Sequence, residues 1–266
     1  MIKTPSRPIL AIGDAHGDYH SFAAVLIDAG LMDPGLNWRG GRTILVQMGD
    51  ILDRGQEPLQ IDSLLDLLQK QARASGGDII RLVGNHELEI LRKNYFITSL
   101  PRADIEKFRS KLIAGISGGL WQAAYSGRGY LFTHAGVCDS LFKHLQAEIS
   151  LPKLTVQKLA AQINKVFKEA VATDNYQHTI FNVSRLRGGN EAFGGIFWED
   201  ITALMRHNLL CPFGQVVGHT QVPAIAASSG NKIIAIDVGM QNVFEGKFEY
   251  LKVNGRKNIK IYKVGK

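Results

Sequence analysis

The sequence predicts an α/β fold in which short buried strands alternate with amphipathic helices. Three apolar runs, at 9–12, 43–48 and 79–83, have the length and composition of buried strands. The two segments between them, 19–30 and 58–75, carry apolar residues at helical spacing. Strands that alternate with helices are typical of βαβ units. Functional side chains in such sheets gather at the carboxyl ends of the strands.

The second half of the chain returns to short apolar strands. Three runs, at 130–133, 215–217 and 232–236, are predicted to extend the sheet. The dipeptide Asn254-Gly255 lies between two further predicted strands, 248–253 and 259–264. Asn-Gly between two strands is a hairpin signal, so we expect a hairpin there.

Two longer segments, about 88–127 and 145–195, do not follow the strand pattern. The first is more polar and is predicted to be helical. The second contains an amphipathic helix at 154–172 and then an irregular stretch rich in Asn, Gly and Arg. We interpret both as parts of a helical cap inserted over one domain that spans residues 1–266.

The composition is that of a soluble globular protein, with 45% hydrophobic and 21% charged residues. The formal net charge is +7, but the basic residues are dispersed. This favours a general attraction for anionic substrates over a nucleic-acid-binding stripe. The two cysteines, Cys138 and Cys211, lack metal-type spacing and favour a reducing compartment. The sequence leaves the oligomeric state open.

No segment has the character of a targeting or membrane sequence. Residues 1–8 lack the apolar core of a signal peptide. No run approaches the ~18 apolar residues that a transmembrane helix needs. We therefore predict a cytoplasmic protein without a membrane segment.

The segment 49–55 directly follows the predicted strand 43–48 and carries Asp50, Asp53 and Arg54. Two carboxylates on one tight loop repel each other unless a cation lies beside them. Arg54 is one candidate for that cation and a metal ion is another. A polar loop with a capping aspartate is the alternative interpretation.

Five predicted strands end in a glycine or threonine that is followed by side chains able to bind a metal. These side chains are Asp14, His16, Asp50, Asn85, His134 and His219. A single histidine at a strand end is more often structural, but five such ends favour one shared site. Carboxylate and amide oxygens combined with imidazoles suit Mn, Fe or Zn. Two such ions about 3.5–4 Å apart can hold a phosphoryl group during an in-line displacement.

Five motifs in this order carry a family resemblance: Gly-Asp-x-His-Gly, Gly-Asp-x-x-Asp-Arg-Gly, Gly-Asn-His-Glu, His-Ala-Gly and Gly-His-Thr. With them the sequence resembles the phosphoprotein phosphatases of the calcineurin-like metallophosphoesterase superfamily. It is most similar to the Shewanella-like phosphatases and the symmetrical diadenosine tetraphosphatases. The resemblance runs from about residue 9 to residue 239. It implies a four-layer α/β sandwich, with two central mixed sheets, flanking helices and an inserted helical cap.

The resemblance also implies a pair of divalent metal ions, with Mn²⁺ favoured and Fe or Zn as alternatives. Asp14 and His16 match ligands of the first ion, and Asp50 matches the carboxylate that bridges both ions. The matches for the second ion are Asn85, His134 and His219. The nucleophile implied by the family is a hydroxide held by the metals.

Three further residues match catalytic and substrate-binding positions of the family. His86 matches the general acid that protonates the leaving oxygen, and Asp53 matches the carboxylate that orients it. Arg54 matches an arginine that binds the phosphate. For Glu87, which follows His86, the simplest interpretation is an acid at the start of a helix.

One departure from the family concerns the second phosphate-binding arginine. Relatives usually carry it two residues after a tryptophan, but here Asp200 stands two residues after Trp198. Either this second contact is absent, or Arg185 or Arg187 of the predicted cap supplies it. Surface positions for both arginines are the alternative.

The function implied by the resemblance is hydrolysis of phosphomonoesters on serine, threonine or tyrosine of a protein or peptide. Direct attack of a metal-held hydroxide would release phosphate in one step. One alternative is a hydrolase of dinucleoside polyphosphates such as diadenosine tetraphosphate, or of small phosphorylated molecules. Another is a phosphoprotein-binding module without activity. No nucleic-acid partner is expected.

Overall fold

The computed structural model describes residues 7–149, 154–242, 248–255 and 258–265. The strands in these ranges, numbered in chain order, are β1 (Ile9–Ile12), β2 (Ile44–Gln47), β3 (Asp78–Leu82), β4 (Trp121–Gln122), β5 (Ala124–Gly127), β6 (Tyr130–Thr133), β7 (Gly214–Val217), β8 (Ala226–Ala227), β9 (Ile233–Ala235), β10 (Glu249–Gly255) and β11 (Asn258–Lys263). The strands predicted from the apolar runs are confirmed to within two residues at their ends. The predicted hairpin is present as the antiparallel pair β10 and β11. Its expected turn at Asn254-Gly255 is wrong, because both residues belong to β10 and Gly255 pairs with Asn258; residues 256–257 lie outside the described ranges.

The α-helices in the described part of the chain are α1 (Tyr19–Asp28), α2 (Pro58–Ala74), α3 (Asn85–Leu91), α4 (Arg102–Ser117), α5 (Asp139–Ile149), α6 (Val156–Thr173) and α7 (Ile201–Arg206). Asp18 begins α1, because its carboxylate accepts the Ser21 N–H at 3.0 Å. Pro58 stands at the first position of α2, where its fixed φ suits a helix start. Within the described ranges, none of the helices has both the length and the apolar character that crossing a membrane requires.

The strands form two mixed sheets. The first has the order β11-β10-β1-β2-β3-β4, and β1 to β4 run parallel. The second has the order β5-β6-β7-β9-β8, and β6, β7 and β9 run parallel. The remaining pairs in both sheets are antiparallel. These sheets confirm the predicted α/β fold.

The two sheets pack face to face, with helices against their outer faces. Successive side chains of a strand point to opposite faces, and β1 follows this rule. Ile9 and Ala11 belong to the apolar core between the sheets, together with Phe132 of β6. Leu10 and Ile12 belong to the second core, which includes the buried faces of the helices. The layers are therefore helix, sheet, sheet and helix.

The prediction that residues 88–127 are helical is wrong at the end of the segment. Helices α3 and α4 occupy most of it, but β4 and β5 follow and join different sheets. Strand β4 has only two residues, and β5 lacks a regular apolar alternation. Such short strands are defined by their partners, as when Tyr125 pairs with Phe132 of β6, and not by a local pattern.

The segment 145–195 contains the end of α5, all of α6 and two short 3₁₀ turns, Thr179–Phe181 and Arg185–Arg187. The predicted helix and the irregular stretch after it are both present, while residues 150–153 lie outside the described ranges. That the segments 88–127 and 145–195 act as one inserted cap stays a prediction.

A network of charges around the buried Arg81 links α4 to α2 and the first sheet. Arg81 of β3 is fully buried and forms ion pairs with Asp62 and Asp66 of α2. Lys111 of α4 forms ion pairs with the same two carboxylates. The Arg81 guanidinium also lies 4.0 Å from the ring centroid of Trp121. The chain segment that leads into α4 is therefore tied to a rigid part of the molecule.

Candidate active site

The side chains named from the strand ends lie together at one edge of the sandwich. Asp14 and His16 follow β1, Asp50 follows β2, Asn85 follows β3, His134 follows β6 and His219 follows β7. All five strands run parallel to a neighbour in their sheet, so their carboxyl ends meet at one edge. The site is built from both sheets.

One oxygen of Asp50 lies at the centre of the site. Its Oδ2 atom is 3.5 Å from Nε2 of His16, 3.4 Å from Nε2 of His134 and 4.0 Å from Nε2 of His86. Two groups of three residues could each hold a cation, and Asp50 belongs to both: with His16 and His86 in one, and with His134 and His219 in the other. Asp50 is therefore placed to bridge two ions.

The imidazoles around Asp50 are oriented by the backbone. Nδ1 of His16 lies 2.8 Å from the carbonyl of Leu52, and Nδ1 of His134 lies 2.9 Å from the carbonyl of Met48. In each ring this leaves Nε2 to face Asp50, which is the usual arrangement of a ligating histidine. Burial is the main reason that the pKa of His16 falls to about 4, so this ring is neutral, as a metal ligand must be.

Asn85 lies between the two histidines of the second group. Its Oδ1 atom is 2.9 Å from Nε2 of His134 and 2.8 Å from Nδ1 of His219. Burial, with the nearby charge of His134, holds the pKa of His219 well below its usual range. An amide oxygen and two imidazole nitrogens thus converge next to Asp50.

Several buried polar atoms of the site lack a hydrogen-bond partner among the described residues. They include Oδ1 of Asp14, Oδ2 of Asp237 and Nε2 of His219. Burial, together with the charges of Asp237 and Asp50, raises the pKa of Asp14 well above its usual range. Unpaired buried carboxylates are costly unless they bind a cation. The donor set therefore fits divalent metal ions.

The backbone around these ligands is unusually close and strained. A Cβ atom on Gly84 would lie 2.1 Å from Oδ1 of Asp50, and one on Gly218 would lie 2.2 Å from Oδ1 of Asp14. His16, Asp50 and His219 have positive φ values of 43°, 51° and 64°. Non-glycine residues rarely adopt this conformation, and it concentrates at functional sites.

His86 and Asp53 form a pair beside the metal-type ligands. Nδ1 of the His86 ring lies 2.6 Å from Oδ2 of Asp53. The backbone N–H of His86 donates to Oδ1 of Asp50 at 2.9 Å. Burial lowers the pKa of His86, but the charges of Asp50 and Asp53 outweigh it and raise this pKa to about 9. His86 is thus held in position through Nδ1 while its Nε2 atom faces the site.

Arg54 is exposed at the edge of the site, directly after Asp53. It is one of the residues that line an open groove of about 480 Å³. The floor of this groove includes Leu59, Leu100 and Pro101. Arg54 is therefore accessible to an anionic group that enters this groove.

The two arginines predicted as candidates for a second phosphate contact lie in different places. Arg187 donates a hydrogen bond to the hydroxyl of Thr220, the residue after His219, and forms an ion pair with Asp200 at 3.1 Å. Arg185 is exposed and lines a separate cavity of about 260 Å³, together with Cys138. The structure therefore brings Arg187, but not Arg185, next to the predicted ligands.

Glu87 lies in the first turn of α3, as expected, but its contacts extend beyond the helix start. This fully buried carboxylate accepts hydrogen bonds from the backbone N–H groups of Asp50, Ile51, Leu52 and Gly84. Burial and the charge of Asp50 raise its pKa to about 7. Glu87 therefore joins the loop after β2 to the start of α3. Its place directly after His86 in the Gly-Asn-His-Glu motif was the available signal.

Thr98 and Ser99, which hold Asp53, were missed altogether. The Thr98 hydroxyl donates to Oδ1 of Asp53 at 2.8 Å, and the Ser99 N–H donates to the same oxygen at 2.7 Å. They belong to no motif and lie 45 and 46 residues after Asp53 in the chain. No local pattern could have identified them.

Comparison with curated proteins gives two similar phosphatases. The chain is 45% identical over 86 residues to Shewanella-like protein phosphatase 2 of Arabidopsis thaliana. The aligned region covers 32% of this chain and 22% of that protein. It is 42% identical over 100 residues to Shewanella-like protein phosphatase 1 of Plasmodium berghei (strain Anka). That aligned region covers 38% of this chain and 27% of the relative. The chain thus matches about a quarter of the length of each relative.

The fold is similar to that of a solved structure, and the sequence matches a family model. The cold-active protein-tyrosine phosphatase of a psychrophilic Shewanella has a TM-score of 0.67 and 21% identity, over 97% of this chain and 80% of that chain. The model of the calcineurin-like phosphoesterase family matches residues 7–223. This match includes β1 to β7 and all of the strand-end ligands. The chain belongs to the calcineurin-like phosphoesterase family.

Proposed function

We propose that this protein is a metal-dependent phosphatase that hydrolyses phosphomonoesters on serine, threonine or tyrosine side chains of proteins. One observation carries the proposal: Asp50 is shared by two metal-type clusters beside the His86–Asp53 pair. The relatives named as protein phosphatases and the fold support the same reaction class.

Two divalent ions fit the donor set. Asp14, His16 and Asp50 would hold one, and Asp50, Asn85, His134 and His219 the other. When bound, such ions polarise the phosphoryl oxygens and lower the pKa of a bound water, which makes it a nucleophile near neutral pH. Mn²⁺ is the proposed ion, with Fe or Zn as alternatives, because oxygen and imidazole ligands suit all three.

The residues outside the ligand set bind the phosphate and supply a proton. Arg54 offers a forked pair of N–H donors that suits a phosphate, and Arg187 offers a second cation beside His219. His86 donates a proton from Nε2 to the leaving oxygen, while Asp53 holds the ring through Nδ1. The charges of Asp50 and Asp53 raise the pKa of His86 to about 9, so the ring holds the proton that it donates.

The open groove next to Arg54 supports a protein or peptide as the substrate. The groove has a volume of about 480 Å³ and is lined by Arg54, Leu59 and Leu100 among others. A peptide can lie along such a groove while its phosphorylated side chain reaches the clusters. A narrow, closed pocket would instead favour a small phosphorylated molecule.

The test is phosphate release by the purified protein, first stripped of metal and then supplied with Mn²⁺. Phosphoserine, phosphothreonine and phosphotyrosine peptides are compared with diadenosine tetraphosphate at equal concentrations. We expect metal-dependent release from at least one peptide, with a higher kcat/KM than for the dinucleotide. Faster cleavage of diadenosine tetraphosphate would overturn the substrate assignment. No hydrolysis of any substrate with Mn²⁺, Fe²⁺ or Zn²⁺ would overturn the proposed activity.

A further inference from the structure

The two oxygens of Asp53 have separate partners. Oδ2 lies 2.6 Å from Nδ1 of His86. Oδ1 accepts three hydrogen bonds from the segment between α3 and α4: from the Thr98 hydroxyl at 2.8 Å, the Ser99 N–H at 2.7 Å and the Ser99 hydroxyl at 3.2 Å. Asp53 is 2% exposed, whereas Thr98 is half-buried and Ser99 is exposed. The hydrogen bonds to Oδ1 therefore hold the carboxylate in the orientation in which Oδ2 contacts His86.

The direction of the Thr98 hydrogen bond is fixed. The Thr98 hydroxyl accepts the N–H of Leu100 at 3.2 Å. An ionised carboxylate such as Asp53 can only accept, so the hydroxyl must donate its single proton to it. Leu100 is buried in the core, which anchors this end of the segment. The contact therefore does not depend on a freely rotating hydroxyl.

The loop that carries Asp53 needs such support. Asp53 and Arg54 both have left-handed backbones, with φ values of 65° and 63°. Side chains other than glycine adopt this conformation only when the surroundings hold them there. Because Arg54 directly follows Asp53, the contacts from Thr98 and Ser99 also restrict the position of this arginine.

We infer that Thr98 and Ser99 are positioning residues for proton donation by His86, acting through Asp53. They fix the rotation of the Asp53 carboxylate, and the carboxylate then fixes the ring of His86. The segment itself is held by α4, which Lys111 ties to Asp62 and Asp66. This inference rests on the proposed function, since it assigns a role within the same reaction.

The first test compares two substrates that differ only in the quality of the leaving group. Phenolate leaves poorly without a proton, whereas p-nitrophenolate leaves well. We expect Thr98→Val combined with Ser99→Ala to lower kcat on phenyl phosphate about 10-fold, the size of losing one bond to a charged group. On p-nitrophenyl phosphate the loss should stay below about threefold, with KM and bound metal unchanged.

Two variants serve as controls. Thr98→Ser keeps the hydroxyl and should behave as the wild type on both substrates. Thr173→Val removes a hydroxyl that donates to the Glu169 carbonyl at 2.7 Å, at the end of α6 and away from the site. It should leave the ratio between the two substrates unchanged. Equal losses on both substrates, no loss, or a Thr98→Ser variant as impaired as the double variant would each overturn the inference.

The second test needs no activity, so it separates this inference from the proposed function. In metal-free protein labelled with ¹⁵N-histidine, the Nδ1–H proton of His86 should resonate far downfield, because its hydrogen bond to Asp53 is short. In the double variant we expect this proton to shift upfield and exchange faster with water. An unchanged signal would overturn the positioning role even if the wild type is active. The signal could shift between the wild type and the double variant even though the wild type hydrolyses no phosphomonoester. That result would overturn the proposed function and leave the positioning geometry standing.

Discussion

The carboxylate of Glu87 accepts the backbone N–H of Asp50 at 2.8 Å, and so it fixes the loop that carries the central oxygen of the site. The same carboxylate accepts the N–H of Gly84 at 2.8 Å, just before the ligand Asn85. Glu87 thus sets the distance between residues that follow two neighbouring strands, β2 and β3.

We expect Glu87→Gln to weaken both folding and metal binding. The amide has one acceptor oxygen in place of two, and its NH₂ group faces backbone donors. The loss should be about 2–4 kcal/mol in the free energy of unfolding, because buried donors are left without partners. Denaturant unfolding and metal analysis after dialysis measure the two effects.

Glu89→Gln is the matched control for Glu87→Gln. Glu89 is also buried on α3, but its carboxylate accepts from Arg92 at 3.1 Å and from Asn94 at 2.7 Å, outside the site. This control should lose stability without losing metal. Full metal content in Glu87→Gln, or equal metal loss in both variants, would contradict the role of Glu87.

The sequence was sufficient for residues that directly follow a buried strand. Asp14, Asp50 and His134 each come after an apolar run, and parallel strands bring such positions to one edge. The spacing within each motif then identifies the chemistry. The prediction worked because both the local pattern and the sheet rule apply to these positions.

Other features depend on contacts between distant parts of the chain. Strand β4 has two residues and is defined only by its pairing with β3, so the segment 88–127 was predicted as helical. Thr98 and Ser99 contact Asp53 from 45 and 46 residues away. Nothing in a hydroxyl between two helices indicates a carboxylate partner, because many serines and threonines on surfaces have none.

Metal removal should expose the repulsion among the buried carboxylates. The pKa of Asp14 is raised by burial and by Asp237 and Asp50, so its ionised form destabilises the metal-free fold. We therefore expect Asp14→Asn to raise the melting temperature of the protein in EDTA at pH 8. The difference should shrink as the pH falls, because the wild-type carboxyl then takes up a proton in the fold.

With Mn²⁺ present the order should reverse. Metal at 100 times its Kd stabilises the wild type by about 2.7 kcal/mol, and Asp14→Asn should gain less because it lacks a ligand. Thermal unfolding with EDTA and with Mn²⁺, at pH 5 and pH 8, measures both effects. If Asp14→Asn is less stable than the wild type in EDTA at pH 8, the account of this carboxylate is wrong.

Arg187 and Arg185 offer a paired test of substrate binding. Arg187 lies beside His219, where it is held by Thr220 and Asp200, whereas Arg185 lines another cavity. We expect Arg187→Ala to lower kcat/KM about 10- to 100-fold, which corresponds to a charge-assisted bond of about 1.5–3 kcal/mol. Arg185→Ala should change it by less than about twofold.

Asp200→Asn extends this test. The variant leaves Arg187 in place but removes its ion pair, so the guanidinium is less firmly oriented. We expect a smaller loss in kcat/KM than for Arg187→Ala. If Arg185→Ala has the larger effect of the two arginine variants, the second phosphate contact comes from the other cavity. Unchanged steady-state kinetics in both would leave Arg54 as the sole binding arginine.

His86 can be tested as an acid and as a metal ligand in the same variant. Geometry allows both roles, since Nε2 of His86 lies 4.0 Å from Oδ2 of Asp50 within one of the two clusters. Its Nδ1 atom is already held by Asp53 at 2.6 Å, which suits a ring that carries a proton. If His86 were a metal ligand, its removal would instead lower the metal content and the activity on every substrate.

We expect His86→Ala to keep both metal ions and to lose activity according to the leaving group. A serine alkoxide leaves badly without a proton, so phosphoserine peptides should lose about 10²–10⁴-fold in kcat. The loss on p-nitrophenyl phosphate should be far smaller, because that leaving group needs no acid. Asp53→Asn should follow the same pattern more weakly, since it removes only the charge that orients the ring. Loss of one ion in His86→Ala, or equal losses on both substrates, would show that His86 binds metal or substrate and is not the proton donor.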